Sequence, residues 1–150
     1  MIPLNNVASG YWSWLNADAT LRSICGDAGR IIKGEKRPDG LPLSNITVSC
    51  SERTHTGDFA SGNQLLKVSV APTLIACFAP LNENSSIPYP QLSTMAARVH
   101  TLAATSRPTI TGGTVHRLGA YSESGPAWDG NDPDEAYIVI SLGFHVQDNA

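Results

Sequence analysis

The chain has 150 residues, of which 41% are hydrophobic and only 15% charged, with a formal net charge of −3 and a pI near 5.7. This length fits one domain, residues 1–150, and the apolar share suffices for one core. The acidic balance excludes tight nucleic-acid binding through a basic face, although nucleic acid can still slide past such a surface. No run of about 18 apolar residues is present to span a membrane, and the start Met1–Asn6 lacks the pattern of a signal peptide, so we expect a cytoplasmic chain.

The first predicted element is an amphipathic helix over residues 7–25, which Gly26 ends. One apolar stripe runs along it, formed by Val7, Tyr11, Trp14, Ala17, Leu21, Ile24 and Cys25. Trp12 falls on the opposite face. A tryptophan there is either an interface anchor or a residue half-covered by a loop of its own chain.

Two short strands follow, at residues 30–33 and 46–50. The segment between them, 34–42, contains two prolines and two glycines, which predicts a loop. A second, polar loop is predicted at residues 52–63.

Residues 64–78 are predicted to form the longest strand. Its main apolar side chains share one face: Leu66, Val68, Val70, Leu74, Ala76 and Phe78. The opposite face is mixed and includes Lys67, Ser69, Thr73 and Ile75. Pro72 interrupts the run, which indicates a sheet edge or a bulge.

The C-terminal third reads as a helix, a strand, an acidic turn and a final strand. The helix begins near Pro90 and ends by Arg107–Pro108, and a strand follows at residues 114–122. After a turn at 125–133, period-two alternation in the closing strand places six apolar residues on one face: Ala136, Ile138, Ile140, Leu142, Phe144 and Val146.

This order of elements predicts an α+β fold. We expect a mainly antiparallel β-sheet of about four to five strands, with two helices packed on one face. The other face is too mixed for a free surface and too weakly apolar for a core. Such a face indicates self-assembly.

No catalytic or metal-binding motif is present. The four histidines show neither HxH nor HExxH spacing, and the three cysteines fit no metal pattern and read as reduced core thiols. The acidic turn 129–135 lacks the sixth-position glycine and the distant glutamate of a calcium loop, and Ser122 is not in a G-x-S-x-G context. We therefore expect no enzyme activity, no cofactor and no metal.

The interface candidates are aromatic residues in polar surroundings and charged residues in loops. They are Trp12, Lys33, Lys36, Arg37, Arg53, Phe59, Trp128, Asp129 and Asp132. The basic cluster at 33–37 is either solvated or meets the acidic turn of a neighbouring copy. For Trp12→Ala we expect an intact fold and weaker assembly.

As a whole, the pattern resembles the tail terminator (tail completion) family of long-tailed bacteriophages. Four features carry the resemblance: the first helix with its short strand at 30–34, the strands 46–50 and 66–78, the helix 92–104 with Thr109-Ile110-Thr111-Gly112-Gly113 after it, and the hairpin of 115–121 and 137–146 with its acidic turn. These features cover most of the chain and are topological. The chain departs from the pattern in its long 52–63 loop and at Pro72.

The resemblance implies a structural virion protein whose copies form a ring, most often a hexamer, at the head-proximal end of a tail. The ring would end polymerisation of the tail tube protein, join the tail to the connector or stopper protein of the head, and let DNA pass unread. It implies assembly in the host cytoplasm and a final location in the tail or neck, with no membrane partner.

Three alternatives stay open. One is another neck component, such as a head–tail connector or stopper protein. The second is a small-molecule binding domain or enzyme, which needs a pocket with converging polar groups. The third is a bacterial α+β domain unrelated to phage. A tail tube subunit is disfavoured, because too few strands are predicted for an inner barrel.

Overall fold

The computed structural model describes residues 2–26, 30–34, 44–50, 54–61, 64–70, 73–129 and 132–149, with the side chains of 54–70, 129, 132 and 133 left out. The described helices are α1 (Leu4–Asn16), α2 (Ala19–Cys25) and α3 (Tyr89–Thr105). The described strands are β1 (Ile31–Lys33), β2 (Asn45–Ser49), β3 (Thr54–Ser61), β4 (Gln64–Val70), β5 (Thr73–Pro80), β6 (Gly113–Asp129) and β7 (Asp132–Asp148).

One mainly antiparallel sheet contains all seven described strands, in the order β1-β2-β5-β7-β4-β3, with β6 paired to β7 off this path. Only β1 and β2 pair in parallel among them, with Ile31 opposite Ile46. The long strand β7 has β6 along one edge, while β5 and then β4 share its other edge. The hairpin of β6 and β7 therefore connects the whole sheet.

The core lies between one face of this sheet and the three helices. α1 packs on β1 and β2, α3 packs on β5, β6 and β7, and α2 packs on α3. All six alternating residues of the closing strand, from Ala136 to Val146, are buried as predicted. They join one apolar cluster with residues of every helix, including Tyr11, Leu21 and Met95. The predicted α+β class, with the helices on one face of a mainly antiparallel sheet, is confirmed.

The predicted helix 7–25 is two helices. α1 ends at Asn16, and Asp18 starts α2 by accepting a hydrogen bond from the backbone N–H of Leu21 at 2.8 Å. An aspartate in this N-cap position satisfies a backbone donor that the helix leaves unpaired. The break exposes Ala17, which the stripe had placed on the core side.

The predicted loop at 52–63 contains strand β3, which pairs antiparallel with β4. The predicted strand 64–78 is two strands, because β4 ends at Val70 and β5 begins at Thr73. These two differences raise the number of described strands to seven.

On β5 the predicted grouping of Leu74, Ala76 and Phe78 on one face holds, but the opposite face is the one that packs against the helices. Ile75 and Cys77 are fully buried in the core with Thr73 beside them, whereas Leu74 is 40% exposed on the other face. Alternation fixes which residues of a strand share a face, but it does not fix which of the two faces turns to the helices. No helix of the described residues is long and apolar enough to span a membrane.

Candidate assembly interface

The sheet face turned away from the helices has an apolar strip over β5 and β7, which we call the outer face. The strip consists of the cross-strand pairs Ala76–Val139 and Phe78–Tyr137, with Leu74 opposite Ser141. The rings of Phe78 and Tyr137 lie 6.0 Å apart between centroids. Leu74 is 40% exposed, and the others are half-buried. On β5 the strip is formed by the face that the sequence analysis described as apolar, whereas the residues of its mixed face, Thr73 and Ile75, are buried against the helices.

The closed end of the β6–β7 hairpin, which we call the arm, is a second candidate surface. It comprises Glu123–Asp129 and Asp132–Glu135. The side chain of Trp128 is 49% exposed there. The arm extends past the end of β5, since Pro80 pairs with Glu135 and β7 begins three residues earlier.

Inside the arm base, the hydroxyl of Tyr121 donates a hydrogen bond to Oε1 of Glu123 at 2.7 Å. Partial burial, and then the neighbouring carboxylate, raise the pKa of Tyr121. Its ring meets the ring of His100 in α3 edge-to-face, with centroids 5.0 Å apart. These contacts hold the base of the arm, at Tyr121 and Glu123, against α3. The exposed Trp128 lies further along the arm.

A groove of about 310 Å³ lies at the other end of α3. Its floor is apolar and includes Ala103, Leu118 and Phe144, and its rim includes Arg107, His116 and Arg117. β6 has a bulge between the pairs Val115–Val146 and Leu118–Phe144, where two residues, His116 and Arg117, lie opposite one residue of β7. Because of this bulge, two consecutive side chains of β6 line the groove.

The cationic rim has few partners of its own. Arg107 makes one long contact, from Nη1 to the carbonyl oxygen of Val115 at 3.5 Å, and Nε2 of His116 lies 2.8 Å from Oε1 of Gln147. Within the described part of the chain, no carboxylate pairs with Arg107 or Arg117. The groove therefore combines an apolar floor with available positive charge. No sequence pattern indicated it, because α3 and the bulge meet only in three dimensions.

Trp12 contacts its own chain. Its indole Nε1–H donates to the carbonyl oxygen of Ile31 at 2.8 Å, and its ring is half-buried. Because this side chain connects α1 to β1, the structure leads us to expect that Trp12→Ala lowers the stability of the fold, rather than leaving it intact. Lys33, in the same region, is exposed and donates from Nζ to Oγ of Ser9 at 3.0 Å.

The remaining predicted residues divide into three groups. Trp128, Asp129 and Asp132 meet at the end of the arm, where Asp129 pairs with Asp132 in the backbone register. Phe59 is in β3, and its side chain is outside the described set. Lys36, Arg37 and Arg53 lie outside the described residues, so the proposed basic cluster is represented by Lys33 alone.

Two of the three cysteines lie inside the core. Cys25 and Cys77 are buried and unpaired; burial raises the pKa of Cys25 to about 11 and that of Cys77 further. No group of three or more His, Cys, Asp or Glu residues that suits a metal ion occurs among the described residues.

No family model matches the chain, and no curated protein matches its sequence. Sixteen chains of solved structures are similar to it. One of them is a chain of the structure described as the virion of a native gene transfer agent (GTA) particle, with 12% identity and a TM-score of 0.61 over 94% of both chains. At this identity the similarity defines a shared fold.

Proposed function

We propose that this protein is a structural component of a phage-like virion that assembles into a hexameric ring at the head-proximal end of a tail. The fold shared with a chain of the GTA virion supports this proposal most strongly, because the similarity extends over 94% of each chain. The two chains thus match as whole units rather than through a common fragment.

The surfaces of the molecule agree with an assembling role. Leu74, Tyr89 and Trp128 are 40%, 56% and 49% exposed, although large apolar side chains in a monomer are usually better covered. They occur on different faces. A subunit in a ring needs two different surfaces for its neighbours, since head-to-tail contacts join unlike patches, and further surfaces for the structures above and below.

Within this proposal, the ring ends tail-tube polymerisation by a geometric mechanism. One side of the ring fits the last ring of tube subunits, and the other side fits the head connector and accepts no further tube subunit. The low charge of the chain, 15% charged residues with a net charge of −3, leaves a lumen that lets DNA slide without tight binding.

Electron microscopy of particles made without this gene tests the proposal. Overlong or irregular tails are the expected result. Normal tails detached from heads would replace the terminator assignment with a connector or stopper role in the neck. Intact, infectious particles would overturn both.

A matched pair of variants tests the outer face in the same system. Leu74→Lys places a charge on the exposed apolar strip, and Ala97→Lys adds the same charge at an exposed position of α3. We expect only Leu74→Lys to reproduce the deletion phenotype while the purified chain stays folded. Equal phenotypes would remove the outer face from the assembly mechanism.

A further inference from the structure

Charge is distributed unevenly along the chain. Residues 118–150 contain six acidic residues and no lysine or arginine, whereas all 10 basic residues of the chain precede them. Five of the six acids belong to the arm: Glu123, Asp129, Asp132, Asp134 and Glu135. The arm therefore has a net negative charge, although Glu135 itself is buried, and it also carries the exposed Trp128.

The groove at the C-terminal end of α3 has the complementary character. Ala103, Leu118 and Phe144 give it an apolar floor, and Arg107 and Arg117, with His116 beside them, give it a cationic rim. An aromatic side chain flanked by carboxylates fits such a site, since the ring can pack on the apolar floor and the carboxylates can form ion pairs with the arginines.

The arm cannot reach the groove of its own chain. Leu118 at the groove and Trp128 on the arm are ten residues apart in β6, which corresponds to roughly 30 Å of strand. α3 runs antiparallel to β6, because His100 meets Tyr121 while Ala103 lies beside Leu118. The two surfaces thus lie at opposite ends of the molecule, as a head-to-tail contact between copies requires.

We propose that the Trp128 arm of one copy docks in the Arg107–Arg117 groove of the next copy. The occupant of the groove is a second copy of this chain, and complementary charge is the argument for it. This contact would form the lateral interface of the proposed ring. Its place in a ring rests on the proposed function, whereas the contact between two copies does not. Repetition of the same unlike pair closes a ring when the rotation per subunit permits.

Cysteine cross-linking of the purified full-length chain tests the contact directly. The test variant combines Trp128→Cys with Ala104→Cys, an exposed residue that lines the groove. A disulfide needs Cα atoms within about 7 Å, so this pair can close only between molecules. The control combines Trp128→Cys with Thr94→Cys, an exposed position elsewhere on α3. Wild-type chain measures the background from its own three cysteines.

Under mild oxidation at high protein concentration, we expect dimers and a ladder of higher species from the groove pair, on the order of tenfold above the control pair. Arg117→Glu in the groove-pair background should reduce this yield to the control level, because it places like charges across the contact. Adding Asp129→Arg should restore it. The charge-matched variant Lys33→Glu should leave the yield unchanged.

Equal yields from the two cysteine pairs, in the purified chain and in purified particles alike, overturn the proposed contact. A loss of yield in Lys33→Glu but not in Arg117→Glu also overturns it, in favour of the basic cluster at 33–37. The proposed virion role fails separately, if particles without the gene are intact, whatever the cross-linking of the purified chain shows.

Discussion

The hydroxyl oxygen of Tyr11 in α1 accepts a hydrogen bond from the backbone N–H of Phe144 in β7 at 3.0 Å, which joins the first helix to the last strand. Both side chains are buried, and their ring centroids are 6.1 Å apart. Trp14 completes the cluster, with its ring 5.8 Å from that of Phe144. Burial raises the pKa of Tyr11, so its hydroxyl stays neutral across the usual pH range. Phe144, which forms part of the apolar floor of the groove, is therefore held in place by its contacts with α1.

Replacing Tyr11 with Phe tests this anchor. The substitution keeps the ring but leaves the N–H of Phe144 buried without its acceptor, so we expect the free energy of unfolding to fall by about 1–3 kcal/mol. Urea unfolding followed by circular dichroism measures it. Tyr89→Phe, at a residue that is 56% exposed, is the control and should change stability by less than about 0.5 kcal/mol. Identical midpoints for the two variants would mean that the N–H finds another acceptor.

Asp18 links α2 to α3 through two kinds of contact. Besides capping α2, its Oδ1 and Oδ2 accept hydrogen bonds from Nη2 and Nε of Arg98 at 2.7 and 2.9 Å. The Arg98 guanidinium, with help from the N–H of Leu21, holds the pKa of Asp18 below its ordinary value. A carboxyl with a lower pKa in the folded state contributes stability above its unfolded pKa and loses it as pH falls through the folded value.

We therefore expect the wild-type chain to lose part of its stability as pH falls below about 4, the ordinary range of an aspartate. Asp18→Asn keeps a capping oxygen but cannot form the ion pair, so the stability difference between wild type and this variant should shrink from pH 7 to pH 3. Asp18→Ala loses the cap as well and should cost about 1 kcal/mol more at pH 7. Unfolding curves at four pH values measure these effects; a difference independent of pH would contradict the ion-pair contribution.

The closing strand was predictable because its alternation is uninterrupted from Ala136 to Val146 and one face is fully buried. At β5 the same reasoning grouped the residues of each face but did not show which group turns to the helices, since the core accepts Thr73 while Leu74 lies outside. Period-two patterns fix which residues share a face within a strand, but not which face a new strand turns to the helices.

Among the candidate site residues, Trp128 was identified because an aromatic residue in a polar turn has little of its own chain to cover it. Trp12 was ambiguous because its hydrogen-bond partner is the backbone carbonyl of Ile31. Every residue has such a carbonyl, so the sequence does not indicate which one is the partner. The rim residues Arg107 and Arg117 were missed for a related reason. Their grouping depends on a bulge and on the end of a helix, neither of which has a residue signature here.

Gly10 marks a close approach between α1 and the segment after α3. A Cβ at this position would lie 2.5 Å from the carbonyl oxygen of Thr109 and 2.9 Å from Cγ1 of Ile110. Alanine usually favours a helix by about 1 kcal/mol over glycine. We expect the clash with backbone to outweigh this gain, so that Gly10→Ala lowers the free energy of unfolding by about 1–3 kcal/mol.

Ser13→Ala, at an exposed position of the same helix, is the control for the helix-propensity gain and should be neutral or slightly stabilising. Thermal and urea unfolding of both variants provide the comparison. A Gly10→Ala chain at least as stable as wild type would show that residues 109 and 110 can move away from α1 at little cost.

The two tryptophans Trp12 and Trp128 should separate folding from assembly. Trp12→Ala removes a half-buried ring and leaves the carbonyl oxygen of Ile31 without its donor, so we expect unfolding at lower denaturant, by about 1–3 kcal/mol. Trp12→Phe keeps most of the ring and should lose about 1 kcal/mol. Trp128→Ala acts on a side chain that is 49% exposed, so stability should change by less than about 0.5 kcal/mol.

For assembly we expect the opposite order, with a larger effect of the Trp128 substitution than of the Trp12 substitution. Sedimentation of the purified chain, or incorporation into particles, should be impaired by Trp128→Ala because that ring enters the groove of the next copy. Trp12→Phe should assemble normally once folded. If Trp12→Ala instead unfolds at the wild-type midpoint and fails to assemble, Trp12 is an interface anchor and its contact with Ile31 contributes little to the fold.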